Sequence, residues 1–158
     1  MKHDEPFTPD QVDVELGAPV GFGGHDPAVV LRMAAVAVPP GSTDPVDRVL
    51  LAAAAEGGTV PTPSASLGYD APSPQRPYAV SEVVDADGTR WRVARGEARV
   101  LVEQLARPST PRHARAVMSK LALVSRAYHP LAVAVQRDDD TTWELLGYVP
   151  VRVWNHPE

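Results

Sequence analysis

Apolar and polar positions alternate over "QVDVELG", which predicts a first strand ending in the glycine-rich loop "GAPVGFGG". The rhythm then changes to a helical period in "HDPAVVLRMAAVAV", where Asp26 caps a helix with Pro27 in its first turn. "STDPVDRVLLAAAAEGG" repeats the device: Asp44 as cap, Pro45 next, Asp47 three past the cap, and Gly57-Gly58 as a stop. Proline-rich residues 59–77 read as a long irregular connection. "YAVSEVVDADGTRWRVA" predicts a hairpin turning at Asp87-Gly88, and helix "GEARVLVEQLA" follows it directly. A further helix begins at Thr110-Pro111, with Ala114, Val117, Met118, Leu121, Val124 and Tyr128 along one face. "PLAVAVQR", a turn at "DDD" and "TWELLGYVPVRVW" form a second hairpin. Helix pair, hairpin, helix pair, hairpin predicts an α+β domain: a mainly antiparallel, twisted sheet with helices packed on it.

Composition narrows the picture. The 158 residues fit one domain, 1–158, with a loose polar segment at 1–10. A net charge of −5 provides no global basic field, so nucleic acid is not an expected partner. The absence of cysteine removes disulfides, thiolate metal sites and cysteine nucleophiles. Without a signal-like apolar core or a run long enough to span a bilayer, no membrane insertion is expected and a cytoplasmic setting fits. The seventeen prolines lie mostly between periodic segments, as punctuation.

Catalytic signatures are scarce. Histidines 3, 25, 113, 129 and 156 never take H-x-x-x-H or H-E-x-x-H spacing, and no G-x-S-x-G elbow occurs. The carboxylates at 138–140 read as a solvated turn, since three adjacent carboxylates cannot by themselves surround calcium or magnesium. No metal is expected. An enzyme using His113 or His129 with a carboxylate has no spacing to support it. Arg95-Gly96 is the better lead, lying where a strand meets a helix. Glycine there admits close backbone approach, first-turn N–H groups favour an anion, and a guanidinium suits phosphate. The competing reading pairs Arg95 with a surface acid such as Glu97.

In order along the chain, "STDPVDRVLLAAA", "APSPQRPYAVSEVVDADGTRWRVARGE", "RAYHPLAVAVQR" and "TWELLGYVP" resemble successive segments of the nucleotide-binding domain of P-type cation-transporting ATPases. The resemblance covers residues 26–150. The phosphorylation motif Asp-Lys-Thr-Gly-Thr of those pumps does not occur. The resemblance therefore implies an isolated nucleotide-binding-domain-like protein that binds ATP or ADP without forming an aspartyl phosphate.

Carried over position by position, the resemblance sets Asp47 against the adenine amino group and puts Arg95, before Gly96, in place of the family's lysine. Pro72 stands where the family has a stacking aromatic, with Tyr69 or Tyr78 as substitute rings. Pro77 stands in place of a second lysine, with Arg76 adjacent, and His129 replaces the arginine that opens the late strand. Either tyrosine could instead be an edge-strand residue half-buried on the sheet. The expected partner is an adenine nucleotide. The alternative is a repurposed scaffold whose degenerate pocket serves contact with another protein.

Overall fold

The computed structural model describes residues 12–57, 65–84, 87–106, 108, 110–137 and 140–155. Its elements run β1 (Val12–Leu16), β2 (Val20–Gly21), α1 (Pro27–Val36), α2 (Pro45–Glu56), β3 (Ala65–Asp70), β4 (Tyr78–Val84), β5 (Arg90–Glu97), α3 (Ala98–Gln104), α4 (Pro111–Val124), β6 (His129–Arg137) and β7 (Glu144–Asn155). The strands form one antiparallel sheet in the order β1-β7-β6-β5-β4-β3, with β2 also paired to β7. The α+β class and the antiparallel sheet are as the patterning predicts. The loose segment 1–10, Gly58, and Asp138 and Asp139 of the "DDD" turn lie outside the described residues.

Each of the three caps named from sequence is realised, whereas α3 begins at Ala98 without a side-chain cap. Asp26 accepts from Ala28 N, Asp44 from Val46 N and Asp47 N, and Thr110 from His113 N, each with proline in the first turn. These bonds satisfy backbone donors that a helix leaves unpaired at its N-terminus. The turn at Asp87-Gly88 is also present: Gly88 has φ +88°, and the Asp87 carboxylate accepts from Thr89 N at 2.9 Å.

Helices cover both faces of the sheet. Val93 and Arg95 on β5 face the α1/α2 layer, while Ala94 and Gly96 face α3/α4. One core joins Val30, Ala34 and Leu50 to Val93, Val133 and Val149; the other joins Leu101, Val117 and Leu121 to Val80, Ala94 and Ala132. A bulge shifts the β6–β7 register between Val133 and Ala134, which oppose Gly147 and Leu145. The extra residue, Leu146, reaches the α1/α2 core, whereas Leu145 and Tyr148 both reach the α3/α4 core.

Two segments differ from their sequence reading. The proline-rich connection contains edge strand β3, because proline-free "ASLGYD" has partners along β4 from Val84 to Val80. The glycine-rich loop contains β2 and is anchored by Phe22, which is buried against Tyr148. In both cases contacts distant in sequence override local turn composition.

At the opposite edge, β1 is fastened to β7 by Glu15, which accepts from Arg152 and from the Tyr128 hydroxyl. The Arg152 guanidinium also lies over the rings of Tyr128 and Trp154, at 5.1 and 5.6 Å from their centroids. Its hydrogen bond holds the Glu15 carboxyl below its ordinary value, so Glu15 favours the folded state only while ionised. The folded pKa is depressed, so the contribution is full above about 4.5 and lost as pH falls through the lowered value. Glu15→Gln is therefore expected to melt below wild type at neutral pH, and the difference should shrink as pH falls below about 4.5. Thermal melts across a descending pH series check this.

A second expectation concerns Gly147, with φ +157°, where an added Cβ would lie 2.0 Å from Val20 O and 2.9 Å from Val30 Cγ2. Gly147→Ala should force β2 and α1 apart and destabilise the fold by about 2 kcal/mol or more in urea unfolding.

Candidate functional site

The two residues singled out most strongly from sequence meet in the interior. Arg95 leaves β5 on the α1/α2 side and places Nη2 2.8 Å from Oδ1 of Asp47, in the first turn of α2. Their side chains are only 9% and 8% exposed. Ser42 Oγ donates to the other Asp47 oxygen at 2.7 Å, and Arg95 Nη1 donates to Ala34 O at 3.4 Å. Arg95 thus neutralises Asp47 and supplies a cation to the last turn of α1, where the helix dipole favours one. Beside it, Ser81 Oγ on β4 donates to Ala37 O at 2.7 Å, completing the tie between sheet and α1.

This arrangement differs from the pairing of Arg95 with Glu97 offered by the sequence. Its partner is Asp47 rather than Glu97, and the guanidinium projects to the opposite face from α3. Gly96 has a packing role. A Cβ there would stand 2.8 Å from Tyr78 Cβ and 3.1 Å from Leu101 Cδ1, so glycine lets α3 close onto the sheet.

The remaining candidates are dispersed. Tyr69 lies on edge strand β3 opposite Ser81 and therefore on the α1/α2 side, 37% exposed. Tyr78 opposes Gly96 on the other side and joins the α3/α4 core. Arg76 stacks over Tyr78 at 5.8 Å, lies 3.7 Å from Asp70 and donates to Ala71 O. His129 opens β6 at the end of the sheet and is exposed. Asp47 and Arg95 are in contact and Arg76 and Tyr78 are in contact, on opposite faces of the sheet.

His129 does border a cleft, of about 590 Å³, between the ends of α2 and α4 and the β5–α3 joint. Val46, Leu121, Leu131 and Val151 give it apolar walls; Glu97, Arg99, Ser125 and His129 supply the polar groups. Val46 brings the cleft next to Asp47 in sequence, but the Asp47 carboxylate itself is turned into the core. Glu97, Arg99 and Ser125 escaped the sequence reading. The signal available was the strand-to-helix joint itself, whose exposed charges sit at 97 and 99, two and four residues past Arg95. Among the described residues no cluster of three or more His, Asp or Glu side chains is arranged to hold a metal. Among them, too, no helix is long and apolar enough to cross a membrane.

No protein-family model matches the chain, and no curated protein matches it. Among solved structures, it is similar to a zinc-transporting PIB-type ATPase crystallised in its E2.Pi state, with a TM-score of 0.53 and 17% identity. The alignment covers 91% of this chain and 20% of that one. The fold resembles a part of a P-type ATPase. At this identity the likeness is one of architecture, and the chain spans only about one-fifth of that protein's length.

The buried ion pair generates a direct expectation. Removing one partner leaves an uncompensated charge in the interior, so Asp47→Ala or Arg95→Ala should each cost about 3–5 kcal/mol. The double variant Asp47→Ala with Arg95→Ala should cost far less than the sum of the singles. A double-mutant cycle in urea checks this, and additive losses would deny the coupling.

Proposed function

We propose that the chain is a non-catalytic adenine-nucleotide-binding module with a P-type ATPase nucleotide-binding-domain scaffold, and that ATP or ADP enters the cleft beside His129. The observation that carries this reading is the cleft itself. Its volume of about 590 Å³ lies within the range of small-molecule sites, and apolar walls with a few polar groups suit a purine and ribose. The similarity in fold to part of a P-type ATPase supports it. The absence of the Asp-Lys-Thr-Gly-Thr motif supports binding without the pumps' phosphoryl chemistry.

This reading moves the ligand away from Asp47 and Arg95, which act in it as the brace behind the cleft. Of the original candidates, His129 remains at the site. Tyr69, Arg76 and Tyr78 contribute no ring or charge to the lining, and no aromatic side chain lies there to stack on a base. Among the described lining residues Arg99 is the guanidinium available to phosphate, and Glu97 opposes it. Most of the affinity therefore resides in the nucleoside, and successive phosphates add little.

A second reading, a scaffold with a degenerate pocket that serves contact with another protein, is favoured by the mutual neutralisation of Asp47 and Arg95. Calorimetry separates the two. On the first reading ATP, ADP and adenosine bind with Kd on the order of 0.1–1 mM and within a few-fold of one another. Ser125→Trp, filling the cleft, abolishes all three. Arg99→Glu weakens ATP more than adenosine. Lack of binding by every ligand at several millimolar, with or without magnesium, rejects the first reading.

A further inference from the structure

The charge of this acidic chain is strongly segregated. Residues 105–137 contain six Lys or Arg and no Asp or Glu. Of fifteen basic residues, nine then remain to face all twenty acidic ones elsewhere, a net of −11 against +6. Helix α4 presents much of this positive charge. Its inner face, with Val117 and Leu121, is buried in the α3/α4 core, whereas Arg112, Arg115, Lys120 and, just past its end, Arg126 are exposed. None of the four forms an ion pair among the described residues.

An apolar side chain sits amid these charges. Leu123 is 67% exposed, the most exposed of the large hydrophobic residues. At 100° per residue, Arg112, Arg115, Ser119 and Leu123 fall on one stripe, which at 1.5 Å per residue runs about 17 Å, and Arg126 follows just past the helix end. We propose that this stripe is a docking surface for an acidic amphipathic helix of another protein, whose carboxylates meet the arginines while an apolar residue covers Leu123.

Complementarity of charge selects this occupant. Three of the four cations are arginines, whose planar fork pairs with a carboxylate through two parallel hydrogen bonds. A lipid surface fits less well. An interfacial helix buries its apolar face in the bilayer, and that face of α4 is occupied by the protein core, leaving one leucine. Nucleic acid fits less well too, because a leucine within the stripe has no phosphate to meet. The surface is independent of the nucleotide reading, since the stripe points away from the α4 residues Leu121 and Ser125 that line the cleft.

The test uses the intact chain and a fluorescein-labelled helical peptide of about 18 residues, with leucine every third or fourth position and glutamate elsewhere. Binding is read by fluorescence anisotropy. The wild type should bind and weaken steeply between about 50 and 300 mM salt. Arg115→Glu with Arg126→Glu should weaken binding at least about tenfold and flatten the salt dependence. Leu123→Ser should weaken it about threefold to fivefold while preserving that dependence. All these positions are on the surface, so unchanged thermal melts confirm that the variants are folded. Equal binding by wild type and the double variant overturns the proposal. So does equal binding of a scrambled peptide of the same composition, or tighter binding of oligothymidine or phosphatidylserine vesicles than of the peptide.

Discussion

The Asp47–Arg95 pair is the constraint from which the α1/α2 half of the fold is built. An arginine in the middle of a strand covered on both sides has no route to water, so its charge must be answered inside. Three elements answer it: α2 with a carboxylate, α1 with a carbonyl, and the intervening loop through Ser42, which holds the second carboxylate oxygen. The same contacts fix the spacing of both helices over β5. Desolvating two charges offsets much of their attraction, so the pair stabilises weakly relative to an apolar substitute and strongly relative to either half alone. Its evident effect is to orient the α1/α2 layer, which also determines where Val46 stands and hence one wall of the cleft.

On the other side of the sheet, close approach replaces charge. Gly96 leaves the space that Tyr78 and Leu101 occupy, and small Ala94, Ala98, Ala132 and Ala134 admit α3. The bulge at Leu146 then lets one strand supply large side chains to both layers. Adjacent residues of β5 therefore have opposite duties: Arg95 braces one face by an ion pair, and Gly96 opens room on the other.

Much of this was legible in the sequence because it is local. Asp26, Asp44 and Thr110 announce helix starts through hydrogen bonds two or three residues away, and Asp87-Gly88 announces a turn through its own backbone. The antiparallel class followed from the hairpins. What was hidden depends on partners distant in the chain. Whether "ASLGYD" is loop or strand is decided by β4, and whether Arg95 seeks a ligand or an internal carboxylate is decided by which helix covers its side of β5. An arginine followed by glycine reads the same in either case. The cleft was hidden for a related reason: its lining comes from six elements, and of its residues only His129 was a binding candidate along the chain. The resemblance to a P-type ATPase domain agrees with the α+β architecture at a coarse level, and the two residues it placed together, Asp47 and Arg95, are bonded to each other in the structure.

The pairing of β1 with β7 has a consequence for how such a unit joins to others. Val12 lies directly across one ladder from Asn155, so the polypeptide enters and leaves the sheet at a single doorway. A fold with adjoining ends can be spliced into a surface loop of a host without prying that loop apart, because the host's two stubs already lie a strand's width from each other. This geometry makes the fold equally suited to stand as an inserted module or on its own.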